Sequence, residues 1–124
     1  MRPIKFRAWD KEDIQMRDVL AVNFYHRVLS VEYEGDQFVQ DGMNRFILMQ
    51  STGLLEKDGV EIYEGDIVAY IDKHGQKRIG KINYANAKYY IGNFETLGYA
   101  GKRYELEVIG NKYENPELLK EQNK

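Results

Sequence analysis

No cysteine occurs anywhere in the 124 residues. Disulfides, thiolate nucleophiles and Cys-based zinc sites are therefore excluded. Histidine is almost as scarce. His26 and His74 are the only imidazoles, and neither shows metal-ligand spacing or belongs to a triad motif. His74 falls in a Lys-His-Gly turn, where a solvated side chain is expected. Hydroxyl nucleophiles are limited to Ser30, Ser51, Thr52 and Thr96. The chain has no G-x-G-x-x-G and no Walker lysine motif, so nucleotide binding lacks its usual sequence support and no cofactor is implied. No apolar run approaches the roughly 18 residues that would suggest a membrane span. The N-terminal "MRPIKFRAWDKED" also lacks the apolar segment of a signal peptide. A cytoplasmic protein without a membrane partner is expected. A formal net charge of only −2 gives no strong global attraction to nucleic acid, so such a role requires a local patch.

What is abundant is tyrosine: ten, alongside five phenylalanines and one tryptophan. Tyrosine suits a half-buried pleated surface, where its ring packs and its hydroxyl reaches water. With 43% apolar and 31% charged residues, the composition is that of a globular domain able to bury a core. In "IKFRAWD", Ile4, Phe6 and Ala8 alternate with Lys5, Arg7 and Asp10, which predicts a strand. Trp9 breaks the alternation, and its neighbours favour a core anchor over an exposed stacking residue. Alternation over residues 28–33 predicts another strand, followed by a turn at Gly35. "RFILMQSTG" reads as a short, mostly buried strand ended by Ser-Thr-Gly. Asp58-Gly59 is a tight-turn dipeptide. "DIVAYID", "KRIGKINY", "AKYYIGNF" and "YELEVIGNKY" follow as strands, with a turn at Gly75.

Turn signals recur every 8 to 15 residues or so, the rhythm of a small barrel or sandwich. Only "ENPELLKEQNK" looks helical, with Asn115 as N-cap, Pro116 in the first helical position and Glu117 in the first turn. The expected fold is mainly β. An N-terminal β-rich portion, residues 1–53, precedes residues 54–124, an SH3-like antiparallel barrel spanning roughly 54–114 with a short C-terminal helix. The whole is expected to form one compact unit.

Residues 58–72 carry five carboxylates: Asp58, Glu61, Glu64, Asp66 and Asp72. An EF-hand reading fails, because aliphatic Val60 and Ile62 occupy ligand positions. A two-carboxylate enzyme would rest on Glu64 and Asp66, which share a face if the chain is extended. A turn reading explains more. Gly59 and Gly65 permit reversals, while Asp58 and Asp66 are residue types that accept backbone N–H bonds in turns.

Three stretches, "IKFRAWD", "MQSTGLLEKDGVEIYEGDIV" and "EVIGNKYENPELL", occur in the order seen in the YopX family of phage and prophage proteins from Gram-positive bacteria, which the chain resembles. The resemblance implies a mostly β protein of phage origin. It brings no established activity, cofactor or catalytic residue.

The main functional hint is local charge. Residues 72–94 hold Lys73, Lys77, Arg78, Lys81 and Lys88 against one acid, Asp72, with Tyr84, Tyr89, Tyr90 and Phe94 interleaved. Cations that track phosphates beside rings that stack on bases suit single-stranded nucleic acid. Lys73, Lys77, Arg78, Lys81, Lys88 and Tyr89 are the candidate contacts. A solvated strand face with its tyrosines in the core is the competing reading. The expectation is a non-enzymatic accessory protein that binds a macromolecule. Its partner would be single-stranded nucleic acid or a host or phage protein, and a homo-oligomer is also conceivable.

Overall fold

A computed structural model describes residues 4–92 and 95–120. The chain divides into two units, Met1–Gln50 and Ser51–Lys124. Both are built from antiparallel strands, with short helices only.

In the first unit, β1 (Phe6–Asp10), β2 (Gln15–Asn23), β3 (Val28–Glu32) and β4 (Phe38–Gly42) follow one another, and β5 (Phe46–Leu55) begins. They lie in the order β4-β3-β2-β1-β5. Ala8, Leu29, Val31 and Phe46 form the core, with Val19, Val22, Val39, Met43 and Leu48 packed on it. β1 departs from a half-buried strand, since Ala8, Trp9 and Asp10 are all buried. Trp9 lies opposite Met16 and Ile47 in the ladders and is a core residue.

Asp10 is the most heavily satisfied charge of this unit. It ends β1 and is wholly buried. Its Oδ1 accepts the backbone N–H of Glu12 (3.0 Å) and of Asp13 (3.2 Å), closing the turn into β2. Arg17 Nε donates to Oδ2 at 2.9 Å, while Arg45 reaches both carboxylate oxygens at 3.0 and 2.9 Å. Burial alone would raise the carboxyl's pKa. The bonds from Arg45, Arg17 and the two backbone N–H groups outweigh it and hold the group far below the ordinary carboxylate range.

The second unit contains the rest of β5 paired with β6 (Glu61–Tyr63). Its main sheet comprises β7 (Asp66–Ile71), β8 (Lys77–Ala85), β9 (Lys88–Ile91), β10 (Glu95–Thr96) and β11 (Glu107–Asn111), in the order β10-β9-β8-β7-β11. Helix α1 (Leu97–Arg103) precedes β11, and α2 (Glu117–Lys120) lies against β8. Ile62, Val68, Tyr70, Ile82, Ile91, Leu97, Ala100 and Leu106 are buried together. Full burial of such an aliphatic side chain contributes about 1.5–3 kcal/mol.

Three expectations need correction. The sheet of the second unit is open. Among the described residues no ladder joins its edges β10 and β11, so the SH3-like barrel is not confirmed. Ser51-Thr52-Gly53 does not end β5 but forms an irregularity within it. The ladder to β6 shifts between Ser51 and Leu55, and Gly53 takes φ 81°. Thr52 Oγ1 donates to the Ile62 carbonyl and accepts the Leu54 N–H, so side chains supply bonds that the shifted ladder omits. Finally, α1 reads "LGYAGKR" and has poor intrinsic helix propensity because of its two glycines. Burial of Leu97 and Ala100 in the core supplies what local preference lacks.

Candidate functional site

Asp66 and Asp72 of the middle segment serve turns, while the reversal at Gly59 is held by Glu56. Glu56, itself buried, accepts the N–H groups of Asp58 (2.7 Å), Val60 (3.4 Å) and Val108 (3.3 Å). Gly59 takes φ 85° at that reversal. Asp66 is buried and accepts the Tyr63 N–H at 2.8 Å across Gly65 (φ 87°). Glu61 accepts the Ser51 hydroxyl at 2.7 Å. Asp72 binds the N–H groups of His74 and Gln76 and the Nε of Arg78, each at 2.9 Å. Bonds from the Gln76 N–H, Arg78 and the His74 N–H lower its pKa against a smaller desolvation cost. Among the described residues no group of three or more His, Asp and Glu side chains could hold a metal ion.

The six candidate nucleic-acid contacts do not share one face. Residues opposite each other in a ladder point to the same side of a sheet, and side chains alternate along each strand. Lys77, Lys81 and Lys88 are opposite Ile71, Ile67 and Ala85, which places all three on the face away from the central core. Tyr90, opposite Asn83, joins them there. Arg78 is opposite Tyr70 and Tyr89 opposite Tyr84, on the core face. Tyr89 packs against the core, and its ring lies 4.9 Å from that of Tyr84. Burial, with the nearby Glu64 carboxylate, pushes its phenol pKa up. Lys73 is exposed in the β7–β8 turn, and the Arg78 guanidinium is bonded to Asp72. Phe94 lies outside the described residues. Period two thus separates most of the cations from the rings intended to work beside them.

A different feature stands out in the second unit. A groove of about 580 Å³ runs beside β7 and β11. Ile71, 57% exposed, is its most open apolar residue. Tyr104 in its lining stacks on Tyr70, which is buried in the core, with centroids 4.9 Å apart and planes at 23°. Burial, reinforced by the Glu95 carboxylate, raises the Tyr70 phenol pKa. Lys77 and Arg103 supply positive charge to the lining, and Glu105 and Glu107 negative charge. Glu107 is held by Lys57 at 2.7 Å, a bond that lowers the carboxyl pKa and raises that of the amine. Sequence reading missed this groove because its two walls are separated by more than thirty residues. The one local signal was Ile71, an apolar residue at an outward position at the end of "DIVAYI".

The family model described as YopX protein matches residues 5–120. The chain belongs to the YopX family. Comparison with curated proteins gave no match. Among solved structures, this YopX-family chain is similar to the crystal structure of protein EF1440 from Enterococcus faecalis, with 27% sequence identity and a TM-score of 0.74. The likeness covers 96% of this chain and 99% of that one. Among the described residues, no helix of this YopX-family chain is long and apolar enough to cross a membrane.

Proposed function

We propose that the chain is a non-enzymatic accessory protein of a phage or prophage that works by holding another protein in the β7–β11 groove. The observation that carries this reading is Ile71, exposed at a groove whose lining also holds Tyr104 and charges of both signs. Apolar and aromatic anchors within a charged rim are the usual composition of a protein-binding surface.

The test compares wild-type protein with Ile71→Glu and Arg103→Glu as bait in lysate of the host bacterium. Both replaced side chains lie at exposed positions, so the fold should persist. A specific protein retained by the wild type and lost by both variants is expected. Capture of nothing, or equal capture by all three, overturns the reading.

A second reading keeps single-stranded nucleic acid as partner, supported by exposed Lys77 and Lys88 and half-buried Lys81 on one face of the sheet. Lys77 and Lys81 are four residues apart on β8, a separation of about 13 Å at strand rise. Fluorescence anisotropy with labelled oligonucleotides at low salt separates the two. Binding abolished by charge reversal at these lysines supports the second reading, and no binding removes it.

A further inference from the structure

We infer that the free edge of β4 is a two-fold self-association surface, taking a second copy of this chain. The surface belongs to the first unit and is independent of the β7–β11 groove.

β4 ends the strand order of its sheet, so among the described residues one of its sides has no neighbouring strand. Which backbone groups face that side follows from the bonds flanking the hairpin. Tyr33 N–H donates to the Gln37 carbonyl at 3.0 Å, and Met43 N–H to the Arg27 carbonyl at 2.8 Å. Hydrogen-bonded pairs alternate with non-bonded ones along an antiparallel ladder. Val39 and Asp41 therefore bond inward to β3, while Phe38, Gln40 and Gly42 aim their backbone groups at the open edge. Natural edges are usually blunted by lysine, proline or a bulge. "FVQDG" contains no lysine or proline, and its ladder to β3 is regular over all five residues. The one blunting device is Asp41, whose carboxylate accepts the Gly42 N–H at 2.7 Å.

Side chains along this edge are complementary to themselves. Phe38 is 61% exposed at one end of β4. Gly42, on the same face at the other end, has no side chain. Beside it is a hollow of about 670 Å³ lined by Phe24, Arg27, Gly42, Met43 and Asn44, with Phe24 67% exposed. An antiparallel pairing of two β4 strands centred on Gln40 sets Phe38 of each copy opposite Gly42 of the other, at the mouth of the hollow. An aromatic ring lying over an edge glycine is a known stabilising cross-strand pair.

Charge fits the same register. The turn before β4 carries exposed Glu34 and Asp36, and the opposite end of the hairpin carries exposed His26 and Arg27. Two-fold antiparallel pairing brings the acidic turn of each copy to the Arg27 end of the other, as an isologous contact requires, and the Asp41 carboxylate there is already held by Arg45 at 3.2 Å. The central Gln40 pair supplies two backbone bonds. Each Phe38 N–H supplies one more, to the second lone pair of the partner's Gly42 carbonyl, which as the N-cap of the 3-10 turn Met43–Arg45 already accepts one bond.

Sedimentation equilibrium on the full chain, from micromolar to submillimolar concentration, tests the inference. A monomer–dimer equilibrium is expected, and Phe38→Lys should weaken it by about tenfold or more with an unchanged circular dichroism spectrum. The absence of native cysteine allows a second test by Gln40→Cys. At a central hydrogen-bonded pair the Cα atoms approach to about 5.5 Å, within reach of a disulfide. On mild oxidation Gln40→Cys should form a covalent dimer faster than Gln76→Cys, a control in the exposed β7–β8 turn. A wild type that stays monomeric, a Phe38→Lys variant that dimerises as the wild type does, or equal cross-linking by the two cysteine variants overturns the inference.

Discussion

Four non-glycine residues, Ile14, Arg27, Asn86 and Ala87, take the left-handed backbone conformation that most side chains resist. Ile14 has φ 55° in the β1–β2 turn, and Ala87 has φ 63° in the two-residue turn joining β8 to β9. The left-handed region costs an L-residue roughly 1–2 kcal/mol, and a β-branched one is a marked outlier there. Ile14 is 70% exposed, so little burial offsets the strain. Ile14→Gly should therefore stabilise the protein by about 1 kcal/mol despite glycine's greater unfolded-state entropy, read as a higher urea midpoint. Asp10 acts in the opposite sense. Removing its charge leaves Arg17 and Arg45 in largely buried positions with fewer acceptors, and Asp10→Asn should cost about 3 kcal/mol or more. The pH dependence follows from its depressed pKa. Its contribution is complete above the unfolded-state value of about 4 and declines as pH falls through the lower folded-state value. Thermal melts should show stability dropping as acid is added below that range, with a flatter acid limb in Asp10→Asn.

Edge strand β11 is protected by side chains from one distant loop and from the segment just after it. Glu56 takes the Val108 N–H, and the Asn115 side chain takes that of Asn111 at 3.2 Å. Lys57 N–H adds a bond to the Leu106 carbonyl just before the strand. Glu56→Ala releases three backbone donors together, and a loss of about 2–3 kcal/mol is expected in chemical denaturation. Gly110 shows the same dependence at close range. A Cβ there would lie 2.5 Å from the Asn115 side-chain oxygen, so Gly110→Ala should displace the segment leading to α2 and lower the melting temperature. Strands β1, β3, β7, β8 and β11 were legible from period-two alternation, whereas β4 and β6 were not, and the reversals at Gly35, Gly59 and Gly75 were legible from their glycines. Helix α1 was not, because its stability comes from core burial rather than from "LGYAGKR". Ser-Thr-Gly misled for a related reason. Those residues mark breaks when solvated, yet here their hydroxyls complete an irregular ladder.

For the molecule in its entirety, surface charge and stability should separate cleanly. Simultaneous reversal of Lys77, Lys81 and Lys88 removes side chains that point away from the central core. Each such surface change should alter stability by no more than about 0.5 kcal/mol. Tyr89→Ala, by contrast, should destabilise the second unit through lost packing. Paired melts of the two variants would distinguish cations that serve the surface from an aromatic residue that serves the core. The basic segment was visible as composition, but composition does not record which side of a sheet each residue faces. Ladder register decides that, and it puts Lys77 and Arg78 on opposite sides although they are adjacent in sequence.

By itself the sequence determined the local matters: β-rich composition, strand alternation, glycine-permitted reversals, the short C-terminal helix, and membership of the YopX family through its ordered motifs. Each depends on residues within a few positions of one another, or on their order along the chain. Tertiary structure alone decided that the second sheet stays open, that Asp10 would meet Arg45 from thirty-five residues away, and that β7 and β11 would border one groove. Those outcomes arise from pairing between strands distant in sequence, where the free energy lies in shared burial and mutual hydrogen bonds that neither segment encodes alone.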